Sequence, residues 1–242
     1  MSLILVDVSL SISGRYLVEN ISLKLEPGLV VGLLGPNGAG KTTTFNLIVG
    51  LLKPDFGTIN LDGEAVTPLS MSKRARLGIG YLSQEPSVFR QLSVRDNLDL
   101  ALSQSNLDPN SSRVRREELI HEFNLAPFLD RLGYQLSGGE RRRCEIARAL
   151  AVGRHGPKYL LLDEPFAGVD PLAVADLQNL IQSLRNRGMG ILVTDHNVRE
   201  TLAITERAYI LNDGKLLASG LSREVANDPL VRQHYLGEGF QL

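Results

Sequence analysis

The chain has 242 residues, 43% of them hydrophobic, and 26 lysines and arginines stand against 27 aspartates and glutamates. That balance leaves no basic excess to drive nonspecific binding to nucleic acid or to a membrane surface. The single cysteine, Cys144, excludes an internal disulfide and a cysteine-rich metal site. No stretch approaches the ~18 apolar residues of a membrane span. The opening run from Met1 to Val6 breaks at Asp7 without a basic leader, so it does not read as a signal peptide. The expectation is one cytosolic catalytic domain that meets a membrane only through partner chains.

In chain order, Val6, Val8, Leu10 and Ile12, then Ile21, Leu23 and Leu25, alternate on either side of Gly14 and predict a β-ribbon. Leu29-Val30-Val31-Gly32-Leu33-Leu34 is nearly continuous apolar sequence, as in a strand covered on both faces of a parallel sheet. Phe45, Ile48, Val49 and Leu52 recur at helical spacing directly afterwards. Asp62-Gly63 and Asp213-Gly214 are the favoured dipeptides of tight hairpins. Antiparallel strands therefore flank a parallel α/β core. From about residue 90 to 135 the texture becomes helical and charged: Val94, Leu98 and Leu102, then Leu119, Ile120 and Phe123, with a cap at Ser93 and Asp96 and an end at Gly133. The division predicted is a single unit over 1–242, with a catalytic core over about 1–89 and 136–225, a helical subdomain over about 90–135 and a tail over about 226–242.

Between the apolar strand and its helix lies Gly35-Pro36-Asn37-Gly38-Ala39-Gly40-Lys41-Thr42-Thr43. This is the G-x-x-x-x-G-K-[ST] loop, whose bare amides and helix N-terminus wrap a polyphosphate; Lys41 reaches the β- and γ-phosphates and Thr42 sits on Mg²⁺. A second apolar strand, Tyr159-Leu160-Leu161-Leu162, ends in Asp163 and Glu164. After such a loop, Asp163 is expected to bind Mg²⁺ through water and Glu164 to act as general base; by themselves the two carboxylates can also be a turn and a helix cap. A third strand, Ile191-Leu192-Val193-Thr194, ends in Asp195 and His196. His196 there can hydrogen-bond the γ-phosphate, or be an ordinary structural histidine. Leu136-Ser137-Gly138-Gly139-Glu140 reads first as a capping box. Its two glycines, at ~1 kcal/mol each relative to alanine, have no evident packing use, which leaves bare amides able to clamp a phosphate that the chain's own loop does not enclose. The adjoining Arg141-Arg142-Arg143 reads as a solvated face.

GPNGAGKTT, Gln84, LSGGE, LLLDE, Asp170 and His196, in that order, resemble the nucleotide-binding subunits of ABC transporters over nearly the whole chain. The resemblance implies the P-loop NTPase fold of ABC ATPases, a parallel core sheet with an antiparallel β subdomain and a helical subdomain. It also implies ATP and Mg²⁺ as ligands and a head-to-tail homodimer, in which Ser137 and Gly139 of one copy cover the ATP held by Gly40, Lys41 and Thr42 of the other. Gln84 would link Mg²⁺ and the water to the helical insert, and Asp170 would connect the two sites. Longer strings, GIGYLSQE, LSGGERRR, LLLDEPFAGVDP and TDHNVRETL, are most similar to the branch of the family that exports lipopolysaccharide in Gram-negative bacteria. That implies two integral-membrane subunits, met near Phe89 and Arg90 at the cytoplasmic face of the inner membrane. Phe89 can also be an ordinary core residue. An amino-acid importer ATPase shares nearly the same motifs, and a DNA-associated ATPase is disfavoured by the absence of a basic face.

The resemblance places an aromatic residue against adenine where this chain has Ile12, with Tyr16 close by; either Tyr16 swings onto the base or Ile12 packs against it. The segment from Gly153 to Lys158, longer than usual, is expected to be a surface loop. Tyr235, Phe240 and Leu242 are apolar for a tail and predict docking against a neighbouring chain.

Overall fold

A computed structural model describes residues 1–153, 156–237 and 239–240. Arg154 and His155 of the expected surface loop, and Glu238 and Leu242 of the tail, lie outside the described residues.

The predicted ribbon is β1 (Leu3–Ile12) and β2 (Arg15–Leu25), antiparallel around Ser13 and Gly14. β3 (Val30–Leu34), buried at every position, runs into α1 (Lys41–Val49). β4 (Phe56–Leu61) turns through Asp62-Gly63 into β5 (Glu64–Ala65), giving a four-stranded antiparallel sheet in the order β2-β1-β4-β5. After α2 (Met71–Leu77) comes β6 (Ile79–Leu82), and then the helical insert, with α3 (Val94–Leu102) and α4 (Pro109–Glu122). Ser93 caps α3 in a reciprocal box with Asp96. α5 (Gly138–Ala151), β7 (Tyr159–Asp163), α6 (Pro171–Asn186), β8 (Gly190–Thr194), α7 (Val198–Ile204), β9 (Arg207–Asn212), β10 (Lys215–Leu221) and α8 (Ser222–Asn227) complete the chain up to its tail.

The second sheet has the order β10-β9-β3-β8-β7-β6, parallel except for the edge pair β9 and β10. β3, β7 and β8 are buried at all positions because helices cover one face and the antiparallel sheet with α1 covers the other. One apolar cluster joins Leu98, Phe123, Ile146, Leu160 and Ile181; a second joins Leu5, Ile21, Phe45, Ile48 and Leu161. Each such side chain contributes about 1.5–3 kcal/mol by leaving water.

Two sets of polar contacts tie these layers to the loop after β3 and to the helix it opens. Asp213 and Gly214 both have positive φ, 46° and 76°, in the hairpin joining β9 to β10. The Gly214 N–H donates to the Ala39 carbonyl at 3.2 Å, and its own carbonyl accepts the Glu19 N–H at 2.7 Å. Arg74 on α2 is fully buried beside the far end of α1. Its guanidinium donates to the carbonyls of Leu47 (2.6 Å) and Ile48 (2.8 Å) in the last turn of α1, and to those of Thr67 (2.9 Å) and Leu69 (3.0 Å). These are carbonyls that a helix end and a turn otherwise leave without partners.

The described part of the tail has apolar partners within its own chain. Tyr235 and Phe240, each partly buried, pack against a cluster of their own chain containing Leu34, Leu202, Ile210 and Val225. The Arg199 guanidinium lies 6.0 Å from the Phe240 ring centre.

Candidate active site

The parallel strands β3, β6, β7 and β8 end on one edge of the sheet, where ligands of such sheets bind. β3 delivers Gly35 to Thr43, β6 delivers Gln84, β7 delivers Asp163 and Glu164, and β8 delivers Asp195 and His196. A cleft of about 440 Å³ there is lined by Leu17, residues 37–43, Gln84, Glu164 and His196.

Gly40 occupies the N-cap of α1 with φ 100° and no side-chain cap, so the first amides of the helix face the cleft. A Cβ on Gly40 would lie 2.8 Å from the Leu17 carbonyl oxygen, so only glycine lets the loop seat on β2. The buried Lys41 ammonium donates to the carbonyls of Gly35 (2.7 Å) and Pro36 (2.9 Å). Burial lowers its pKa, while the Glu164 and Asp163 charges act in the opposite direction.

Glu164 is nearly buried and has φ 53°, a strained value for a residue with a side chain. His196 Nε2 lies 2.7 Å from its Oε1. His196 is thus brought onto the glutamate. Asp195, to which the sequence assigned nothing, accepts the N–H groups of Phe166 and Asn197 at 2.9 Å each and fastens the segment after Glu164 to β8. Burial raises its pKa. Its legible signal was a carboxylate at a strand end just ahead of an asparagine cap.

Asp163 has no solvent exposure, and among the described residues neither carboxylate oxygen has a hydrogen-bond partner. Burial, then the adjoining Glu164, push its pKa up to about 6, against the pull of the Lys41 and Arg142 charges. Unpartnered buried oxygens beside Thr42 fit Mg²⁺, which binds through one or two carboxylates and completes its shell with substrate phosphates and water. Among the described residues no group of three or more His, Cys, Asp or Glu side chains forms a metal cage, and a shared site of this kind needs none.

Ser137, Gly138, Gly139 and Asp170 do not line the cleft of their own chain. Ser137 caps α5 in a box with Glu140, and Asp170 caps α6 by accepting the Ala173 N–H at 3.0 Å. The two glycines do have a packing use, contrary to expectation. A Cβ on Gly138 would lie 2.4 Å from the Gly168 carbonyl oxygen, and one on Gly139 2.8 Å from the Ala173 Cβ.

The solvated reading of Arg141-Arg142-Arg143 fails at its centre: Arg142 is buried and paired with Glu145 at 2.9 Å. Charge runs on a helix hide this because every third or fourth residue faces inward. Tyr16 and Ile12 are both exposed, Tyr16 opposite Ser11 and Ile12 opposite Arg15, and neither lines the cleft. Phe89 is not core: it is 46% exposed, under the Arg148 guanidinium at 4.7 Å.

A sequence profile described as ABC transporter matches residues 18–167. The lipopolysaccharide export system ATP-binding protein LptB of Acidithiobacillus ferridurans is 56% identical over 94% of this chain and 93% of its own length. The protein of the same name from Escherichia coli (strain K12) is 53% identical over 95% and 94%. Among solved structures, a nucleotide-free ATP-binding cassette from an ABC transporter superposes with TM-score 0.87 at 26% identity, covering 98% of this chain and 100% of that one. A dimeric cassette in a post-hydrolysis state, bound to ADP and Pi, gives 0.79 at 26% identity over 91% and 99%.

Proposed function

Because the chain belongs to the ABC transporter family, we propose that it is the ATP-hydrolysing subunit of a lipopolysaccharide exporter. The observation that carries the enzymatic reading is the meeting of Lys41, Gln84, Glu164 and His196 around one glycine-lined cleft. The cargo rests on the 56% identity to a relative named for lipopolysaccharide export; an importer or a DNA-associated ATPase is not favoured.

The backbone amides of the loop and of the first turn of α1 bind the phosphates of ATP, and Lys41 exchanges its two loop carbonyls for phosphate oxygens. Glu164 takes a proton from the attacking water, held in place by its backbone bond to Thr194 at 2.8 Å and by His196. Thr42, Asp163 and Gln84 would hold Mg²⁺, whose chemistry here is neutralisation of phosphate charge. Tyr16, at the rim of the β1–β2 hairpin, is the proposed base contact. The four residues outside the cleft serve the partner in a homodimer: Ser137, Gly138 and Gly139 close over the second copy's ATP, and Asp170 links the two sites. ATP favours the closed dimer, and hydrolysis removes the ligand that favoured it.

No helix among the described residues is long and apolar enough to cross a membrane. The exposed Phe89 with Arg90 beside it supports contact with two integral-membrane subunits, at the cytoplasmic face of the inner membrane. The core, helical subdomain and tail then divide at about residues 90, 135 and 226. The test is reconstitution of the chain with the membrane subunits that copurify with it in proteoliposomes loaded with lipopolysaccharide. ATP-dependent release of lipopolysaccharide is expected, and release that ignores ATP, or amino-acid uptake instead, refutes the reading.

A further inference from the structure

Arg142 and Glu145 face each other one turn apart on α5, with side-chain exposures of 4% and 0%. Taking two charges out of water costs several kcal/mol per ion, and a well-packed apolar pair fills such a position at least as well. Their other hydrogen bonds supply the reason for their presence. Glu145 Oε1 accepts the backbone N–H groups of Ser87 (2.7 Å) and Val88 (3.2 Å). Arg142 donates to the backbone carbonyls of Ser83 (3.3 Å), Gln84 (3.3 Å) and Glu164 (3.0 Å). The pair therefore grips both ends of the loop after β6 and the strand end that bears the proposed base. The next residue, Phe89, lies half-exposed at the surface, with its own N–H donated to Asn97 at 2.9 Å.

We infer that Glu145 is a positioning residue for hydrolysis. Through Arg142 it fixes the backbone of Gln84 relative to Glu164, and it makes the exposed Ser87–Phe89 segment move together with the base. A displacement at Phe89 then reaches Glu164 across one carboxylate and one guanidinium, with no rearrangement of the sheet. This rests on the reading that Gln84 and Glu164 serve ATP hydrolysis.

The test uses the full chain. Glu145→Gln keeps the size and an acceptor for Ser87 but removes the charge that holds Arg142; Glu145→Asp keeps the charge and withdraws it by one methylene. Steady-state ATPase assays and hydrogen exchange of the 83–89 amides are run well below the melting temperature. For Glu145→Gln we expect kcat to fall tenfold or more, KM for ATP to stay within threefold, and exchange at 83–89 to quicken at least tenfold while β7 and β8 keep their protection. Glu145→Asp is expected to recover part of kcat. A kcat within twofold of wild type, or a loss of protection spread over the whole sheet, overturns the inference. If Glu145→Gln does not fold, Glu145→Asp alone is read by the same criteria. Unchanged turnover in Glu164→Gln removes the hydrolytic reading and the inference with it; abolished turnover there, with normal kcat in Glu145→Gln, removes only the inference.

Discussion

Replacing Arg74 with methionine removes the donor to four carbonyls, those of Leu47, Ile48, Thr67 and Leu69. Each buried acceptor left without a partner costs about 1–3 kcal/mol. Part of that loss is offset because no charge need then be desolvated, the same burial that lowers the Arg74 pKa. Four such losses less that offset leave a net cost of about 3–5 kcal/mol. At about 2–4 °C per kcal/mol for a domain of this size, the melting temperature should drop by roughly 10 °C. Lysine should recover less than half, because one ammonium cannot reach carbonyls that a planar fork meets in four directions. Calorimetry without nucleotide measures the drop, and ATP affinity well below the transition checks that the cleft survives. A shift under about 3 °C would refute the assignment of Arg74 as the cap of α1.

Glu164→Gln should lower turnover by a factor of about 10²–10⁴ while ATP binding persists, and ATP-bound dimer should accumulate on size-exclusion chromatography; wild-type turnover in the variant contradicts the base assignment. Asp163 has its folded pKa raised to about 6 from the usual 3.8, so its contribution to stability is full below about pH 4 and is lost as pH rises through 6. Without nucleotide, Asp163→Asn should therefore gain up to about 3 kcal/mol on the wild type between about pH 4 and 8, as read by denaturant titration. A difference that does not vary with pH would count against it. Gly138→Ala must displace the Gly168 carbonyl, so it should cost about 1–3 kcal/mol and abolish ATP-driven dimer formation. Dimer formation at wild-type ATP concentrations would show that the close approach is dispensable.

The parallel strands, the phosphate loop, the carboxylate pair and the hairpin turns were all legible, because each is dictated by residues within about ten positions of one another. Apolar runs say which strands are covered on both faces, and the positive φ of a tight turn demands Asp-Gly. What could not be read depends on who arrives from elsewhere in the chain. Arg74 looks like an exposed helix charge until the last turn of α1 supplies carbonyls from 26 and 27 residues away. Arg142 looked solvated, although its partners lie 58 and 59 residues back and 22 ahead. Gly138 and Gly139 seemed free of packing demands because what they admit, the Gly168 carbonyl and the Ala173 methyl, is not adjacent in sequence. The tail looked unaccompanied for the same reason, since Leu34 and Ile210 are brought beneath it by the fold.

The Asp213-Gly214 hairpin has the outward signs of a tip that tolerates lengthening, as exposed loop ends generally do. Here it is stapled on both sides, to Ala39 and to Glu19. An extra residue would have to break one of those bonds, and the one to Ala39 belongs to the loop that cradles the phosphates. Related chains should therefore vary in length at the tips of the helical insert and keep this turn at two residues, and a library of random insertions scored for ATP binding would show a gap there.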